Sequence, residues 1–480
     1  MKRINMLMVL LLTVACMRMQ AQSYPQLTNL PTIYIQTANG QDIWDKENYV
    51  KATLVYRDGD ELTTYKDMQI RGRGNSTWWN GEKKPYRIKF AEKQRFLGEN
   101  FANAKNWTLL ANHADKSMIH NALTYDLGRF VGMDFCPAAR FVDLYLNNRY
   151  RGTYQISDHV QVKKKRVDVD ETTGWFLELA NENAKEDPYF HTSQRGYYVN
   201  IKNPQDENYS ESVRWEIENW VNTLENVVFS SLFDDPQLGY RAYVDEQSLI
   251  NWYVALEITG DIDGLYSIYG YKEAQNDKLH VGPLWDKDLA WGETHDVYFK
   301  YKLLTDGHIR DFEDTMNRLW KDPWFAYQVN KRYRKLLDDG LKDYLLHHVD
   351  SLAEVIGPSQ KKNYAIWPIN QKSMEWEGDF LHNDYEGYIK DLKDFIREHL
   401  AYLEREFKSR ADASGYVEPA PEPDSDPDGI APVVADRPNS DDGIYTLSGQ
   451  RVANSVDFES TRLLLPKGVY LYKGRKVVVK

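Results

Sequence analysis

The hydrophobic repeat of this chain changes period near residue 210, and that change constrains the fold more than any other feature. Between residues 24 and 170, short apolar runs alternate with turn signals, as in "PTIYIQT", "KATLVYRDG" and "PYRIKF". Runs of this length, rich in Ile, Val, Tyr and Phe, read as strands. In "RFVDLYLNNRYRGTYQI" two such runs meet at Asn147-Asn148, a pair suited to a tight hairpin turn. "WFLELA" and "GYYVNIKNP" add further strands. One helix lies among them: Ile119, Ala122, Leu123 and Leu127 recur at helical spacing, with Asp115 as the expected N-cap. Beyond residue 210, "SVRWEIENWVNTLENVVF" and "DEQSLINWYVALEITG" read as helices. Residues 310–410 are mainly helical, with Ile389, Leu392, Ile396, Leu400, Leu403 and Phe407 on one apolar stripe. The fold class is therefore α+β, a sheet-rich N-terminal part followed by a helix-rich C-terminal part.

Composition shifts again after residue 413. "EPAPEPDSDPDGIAPVVADRPNSDD" is too rich in Pro and Asp to bury a core and reads as a linker over 414–440. Its "DSDPDG" opens like a calcium loop, but a loop starting at Asp424 has Ala435 where the bidentate Glu belongs. Residues 441–480 read as a small all-β module of three or four strands. At the other end, Lys2 and Arg3, the apolar run "MLMVLLLTVA" and then "MQAQS" read as an export signal over residues 1–21, cut after Ala21. Lipidation at Cys16 is the rival, with Thr13 where a lipobox usually has Leu. The run is too short to span a bilayer, and no later segment suggests an integral membrane domain. Signal removal leaves Cys136 as the one thiol, so no intrachain disulfide is expected; it reads as a small buried residue. A net charge of −12 argues against a general affinity for nucleic acid and fits a protein that binds cations.

Three stretches carry chemistry. In "MQIRGRGNSTWWNGEKKPYRIKF", Gly72 and Gly74 follow a strand, while Arg71, Arg73, Lys83, Lys84, Arg87 and Lys89 crowd a short basic segment of an acidic chain. A glycine turn lets backbone N–H groups approach phosphates, and a strand-borne Lys adds a fixed positive charge. A basic exposed hairpin is the bland reading of the same residues. In "EITGDIDGLYSIYGYK" a helix ends near Gly260 and delivers Asp261 and Asp263 to a turn. "HVGPLWDKDLAWG" places Asp286 and Asp288 at the end of an apolar run. The residues between Asp263 and Asp286 suffice for a hairpin turning at "EAQND", which would bring the two acidic turns to neighbouring ends. One carboxylate could then orient a nucleophile while another holds the metal that bridges nucleotide phosphates.

At these residues the chain resembles the CotH kinase family, protein kinases of atypical kinase fold related to spore coat protein H. The resemblance rests on "IRGRGNSTWW…KKPYRIKF", "NWTLLANHADKSMIHNAL", "LYLNNRYRGTYQISDHV", "GDIDGLYS" and "WDKDLAWG", in family order over residues 30–410, so that a kinase-like domain is expected over 22–413. It implies an atypical protein-kinase-like fold in a secreted or cell-surface protein. The implied activity transfers the γ-phosphate of ATP to hydroxyl groups of secreted or surface protein substrates, with Mg²⁺ (or Mn²⁺ or Ca²⁺). By position, Lys89 matches the nucleotide-phosphate Lys, Arg71 and Arg73 lie in the phosphate-side loop, Asp263 matches the catalytic acid and Asp286 the metal-binding acid, helped by Asp288. Asp158 stands where the family often has Glu, which implies a cofactor-binding role through Lys89 or a metal, and Asp261 stands where many members have Asn. No Asn follows Asp263 closely, and Ser267 is the nearest polar residue. Neither "HRD" nor "DFG" occurs, which sets the chain apart from ordinary protein kinases. The C-terminal "IYTLSGQRV…LPKGVYLYKGRKVVVK" resembles tail modules of secreted Bacteroidetes proteins, including sorting domains of the type IX system, which implies surface or secretion targeting.

The alternative function class is a catalytically silent surface binding protein or adhesin on a kinase-like scaffold, recognising glycans or proteins. A glycoside hydrolase using two carboxylates is a third. The basic stretch around Lys89 separates these readings, since it suits nucleotide phosphates and has no role in glycan hydrolysis.

Overall fold

The computed structural model describes residues 23–180, 182–261, 267–274, 278–292, 313–373 and 381–419, together with four later strands. The chain divides into two compact units, Met1–Tyr416 and Val417–Lys480.

In the first unit, seven strands form a closed barrel in the order β1-β2-β3-β4-β5-β7-β6. They are β1 (Thr32–Thr37), β2 (Val50–Asp58), β3 (Glu61–Gly72), β4 (Tyr86–Gln94), β5 (Ala104–Leu110), β6 (Ala139–Leu146) and β7 (Arg149–Asp158). Alternation does the sorting: Tyr86, Ile88 and Phe90 of β4 are buried in the barrel core with Ile33, Leu54, Trp107, Leu109 and Ile156. The expected hairpin is present, with Leu146 opposite Arg149 and both Asn147 and Asn148 left-handed at φ 50° and 61°. Parallel pairing of β1 with β6, from Thr32 opposite Asp143 to Ile35 opposite Leu146, closes the cylinder.

Between β3 and β4 lies one helical turn, α1 (Ser76–Trp79), and between β5 and β6 lies α2 (His120–Val131). Helix α2 starts later than Asp115 would set it. The Asp115 carboxylate accepts the N–H groups of Met118 and His120 in a turn where Met118 is left-handed (φ 60°), and the helix begins after that turn. A second, five-stranded sheet runs β12-β11-β8-β10-β9, from β8 (Trp175–Ala180), β9 (Tyr189–His191), β10 (Tyr198–Asn203), β11 (Ile268–Lys272) and β12 (His280–Val281). The β11–β12 pair is the hairpin expected between the acidic turns.

The remaining elements of this unit are helices: α3 (Glu211–Val228), α4 (Glu246–Thr259), α5 (Glu313–Leu319), α6 (Pro323–Asp338), α7 (Leu341–Ile366) and α8 (Tyr385–Ser414). Side chains open several of them: Ser210, Asp245, Asp322 and Asp384 each accept a backbone N–H from the first turn. Every residue of α4 from Leu249 to Thr259 is buried, as expected of a helix apolar on all sides. Helix α8 lays Leu392, Ile396, Leu400, Leu403 and Phe407 into the same core, with Ile389 partly buried at its edge. Among the described residues no helix is long and apolar enough to cross a membrane. Cys136 is half-buried, and burial pushes its thiol up to about 12, leaving little reactive thiolate. In the second unit, the described strands β13 (Gly443–Thr446), β14 (Arg451–Asn454), β15 (Gly468–Tyr472) and β16 (Arg475–Val479) pair antiparallel in the order β14-β13-β15-β16.

The barrel is fastened to α7 by buried polar groups. Thr153 of β7 donates its N–H to Asn363 (3.2 Å), and its hydroxyl meets Ser359 (2.6 Å), which in turn donates to Asp143 (2.6 Å). Lys83 is buried beside them, its ammonium donating to the Thr153 carbonyl at 2.5 Å. Burial pushes Lys83 down to about 7, against the pull of Asp115 and Asp143. In the unfolded chain the group titrates near 10.4, so between about pH 7 and 10 the unfolded state binds more protons and stability rises with pH. Below pH 7 both states are protonated and the cost of the buried charge is present in full. The expected contribution to the slope is about 1.4 kcal/mol per pH unit. Urea unfolding at several pH values checks it: Lys83→Met should remove that rise, and a parallel profile in the variant would refute the assignment.

Candidate active site

On β3 and β4 the alternation that buries Ile70, Ile88 and Phe90 turns Arg71, Arg87 and Lys89 to the outside of the barrel. Arg71 lies opposite Arg87 in the ladder and Gln69 opposite Lys89. The Arg71 guanidinium sits 5.0 Å from the centre of the Tyr49 ring and the Lys89 ammonium 5.8 Å from it. Gly72 donates to the Asp45 carbonyl (2.9 Å), and a Cβ there would stand 2.5 Å from the Trp78 ring, so only glycine fits. Arg73 then reaches across to the Trp285 ring, 5.6 Å from its centre. Among the described residues, the buried Nε atoms of Arg71 and Arg87 have no hydrogen-bond partner. Burial holds Arg87 below its ordinary range, and Arg71 and Arg73 push the same way. Neighbouring guanidiniums with unanswered donors are costly unless an anion meets them.

Trp285 belongs to the acidic loop, and the loop is held from below. Its ring stacks on Tyr125 of α2 at 6.0 Å and 12°. The Lys287 N–H donates to Asn121 Oδ1 (2.8 Å), and its buried ammonium pairs with the buried Asp261 at 2.5 Å. His120 Nδ1 donates to the Asp288 carbonyl (3.1 Å), and Trp291 is fixed by its N–H to Thr259 (2.6 Å) and its indole N–H to Thr124 (2.9 Å). Between buried Trp285 and buried Lys287, Asp286 takes the left-handed conformation (φ 60°), and its side chain is exposed. Among the described residues nothing hydrogen-bonds or ion-pairs with its carboxylate. Burial raises the Tyr125 and Tyr269 phenols; at Tyr269 Glu178 adds to the rise, Asp286 contributes a smaller part at both, and Arg73 opposes the rise at Tyr125. Asp286 and Arg73 thus act on one neighbourhood.

A third cluster completes it. Glu178 of β8 stands between Asn200 of β10 and Tyr269 of β11 in the sheet register. It accepts from the Tyr269 hydroxyl (2.8 Å) and from Asn200 Nδ2 (3.1 Å). Lys202 bridges Glu178 (3.4 Å) and Glu186 (2.6 Å). Burial lowers the Lys202 ammonium, but the two carboxylates outweigh it and raise it overall. Burial raises Glu186, yet Lys202, Arg87 and Arg71 bring it below the usual carboxylate range. His159 is held neutral by burial and by Arg87, Arg166, Lys202 and Arg73.

Of the residues singled out in the sequence, Arg71, Arg73 and Asp286 come together here. Lys89 projects from the same face but is exposed, further along β4. Asp158 does not pair with Lys89: it is buried, accepting from Arg166 Nε (2.7 Å) and the Ala138 N–H (2.8 Å). The Asp288 side chain is half-buried. Asp263 lies outside the described residues; Asp261, two positions before it, is the partner of Lys287. Lys202, Glu178 and Glu186 escaped the sequence reading, although a lone Glu in "WFLELA" and a lone Lys in "GYYVNIKNP" were there to be noticed. Among the described residues no group of three or more His, Cys, Asp or Glu is placed to hold a metal ion.

A search of curated proteins returned no match. The family model described as CotH kinase protein matches residues 70–403, from the end of β3 through β4 to β12 and the helices into α8, so that β1, β2 and most of β3 lie before it. That match covers well over half of the sequence, and the chain belongs to the CotH kinase family.

Proposed function

We propose that the chain is an exported protein kinase that transfers the γ-phosphate of ATP to hydroxyl side chains of secreted or surface proteins, on a kinase-like fold and with a divalent metal. The observation that carries this reading is the pairing of Arg71 and Arg87, whose buried Nε donors lack partners among the described residues, with the exposed carboxylate of Asp286 across the Arg73–Trp285 contact. A phosphate chain answers unsatisfied guanidinium donors, and a carboxylate free of protein partners suits a metal ion. ATP would supply the transferable phosphoryl group, its phosphates bridged by Mg²⁺, Mn²⁺ or Ca²⁺. Arg71, Arg73 and Arg87 would hold the phosphates, and Asp286, helped by Asp288, the metal. Lys202, fixed between Glu178 and Glu186, fits the phosphate-ordering lysine better than exposed Lys89 does. Asp263 would orient the acceptor hydroxyl and take its proton. Export rests on the basic and apolar start of the sequence, with cleavage after Ala21, and surface targeting on residues 441–480. The first 22 residues and most of the last 61 lie outside the described ones.

Calorimetry with ATP and Mg²⁺ on residues 22–413 tests this. Asp286→Ala should weaken metal-dependent nucleotide binding by at least about tenfold, roughly 1.4 kcal/mol. Equal ATP binding by wild type and variant would remove Asp286 from the site. No binding by either would favour the silent scaffold, for which the exposed indoles of Trp44, Trp79 and Trp215 are the contact surface to probe with glycan arrays.

A further inference from the structure

One groove lies away from the candidate active site. It measures about 940 Å³ and runs between α7 and the first half of α8. Five cations line it, Lys361 and Lys362 from α7 and Lys390, Lys393 and Arg397 from α8, against one lining carboxylate, Glu386. Three of the five are partly answered by the protein: Asp394 takes Lys390 (2.6 Å) and Arg397 (2.8 Å), and Asp350 takes Lys393 (2.7 Å). Lys361 and Lys362 are exposed, with no hydrogen bond or ion pair among the described residues. A positive surplus therefore sits in a concave site on a chain of net charge −12. Such concentration in a groove focuses the field outward from it.

The floor is apolar. Ala353 of α7 and Ile389 of α8 line the groove, together with Tyr385, whose hydroxyl donates to the Ser117 carbonyl (2.8 Å). Sequence keeps one wall low. Gly357 has no side chain, and a Cβ built there would meet nothing within 4 Å. Pro358 follows it inside α7, where it contributes no N–H.

We propose that this groove docks an acidic segment of a protein partner, its carboxylates met by Lys361 and Lys362 and its apolar side chains seated on the floor around Ile389. The charge pattern selects that occupant. A nucleic acid or sulfated glycan would carry its many charges into the long-range repulsion of an acidic chain and would leave the apolar floor unused. A peptide with a few carboxylates between apolar residues satisfies both surfaces. The inference concerns a surface separate from the phosphotransfer site and stands whether or not ATP binds there.

Fluorescence anisotropy on the full chain tests it, using short labelled peptides that alternate Glu with Leu and the same peptides with Gln or Lys in place of Glu. The Glu peptide should bind at least about tenfold more tightly than the Gln peptide, and added salt should weaken it. Lys361→Glu/Lys362→Glu, which alters only exposed positions and should leave Tm unchanged, should abolish that preference. Equal binding of the Glu and Gln peptides, an unchanged preference in the folded double variant, or tighter binding of a sulfated oligosaccharide would each overturn the proposal.

Discussion

Replacing Lys287 by Met should destabilise the protein by about 3–5 kcal/mol, the usual cost of removing one partner from a buried ion pair. The substitution nearly preserves volume but leaves the Asp261 carboxylate, fully buried, without the ammonium 2.5 Å away. The pair joins Asp261, two residues past the end of α4, to the loop that presents Asp286, so its loss should also loosen that loop. On the proposed function, metal-dependent nucleotide affinity is expected to fall further than in a surface variant of equal stability. Asp261→Asn/Lys287→Met supplies the control, because an uncharged pair of similar size is often close to neutral. Urea unfolding of the single and double variants measures the difference. Equal losses in both would mean that packing around Lys287, and not the charge on Asp261, sets the cost.

Arg166→Met should cost a similar amount, about 3–5 kcal/mol, for the same physical reason at the other end of the site. The Arg166 side chain is fully buried, 2.7 Å from Asp158, and its guanidinium lies 4.7 Å from the centre of the Trp107 ring inside the barrel. Met fills much of the space but leaves Asp158 with the Ala138 N–H and no cation. Two further nitrogens of Arg166 are buried without hydrogen-bond partners among the described residues, so the native pair is itself only partly satisfied there. Asp158→Asn/Arg166→Met should therefore recover most of the loss. Thermal unfolding of the two variants reads this out, and a single variant as stable as wild type would contradict it.

These two pairs show what the sequence could and could not disclose. Alternation in "PYRIKF" separated the barrel interior from the basic outer face, because a strand must put successive side chains on opposite sides. Apolar flanks around Asp286 marked it as more than a solvated turn, and the β11–β12 hairpin followed from the spacing of the acidic turns. Arg166 was opaque because it ends the run "KKKR", in which Lys164 and Lys165 are exposed, and nothing local tells a buried cation from a solvated one. Lys202 and Glu178 were hidden for a related reason: a single charge on a strand reads as its wet face until the neighbouring strands are known. Asp115 misled because its carboxylate caps a turn before α2 instead of the helix. Closure of the barrel was out of reach altogether, since it depends on a parallel pairing between distant strands.

That pairing has a consequence for the order in which the chain acquires its shape. Thr32 and its partner Asp143 are separated by about 110 residues, so β1 can zip to β2 early but keeps its other side bare until β6 and β7 arrive. Loop-closure entropy makes such distant contacts late and slow ones. Until the seam forms, two strand margins carry unpaired N–H and C=O groups that any second unfinished copy can complete. The interval before the seam closes is therefore when crowding of nascent chains, more than damage to any finished contact, will govern how much soluble protein is obtained.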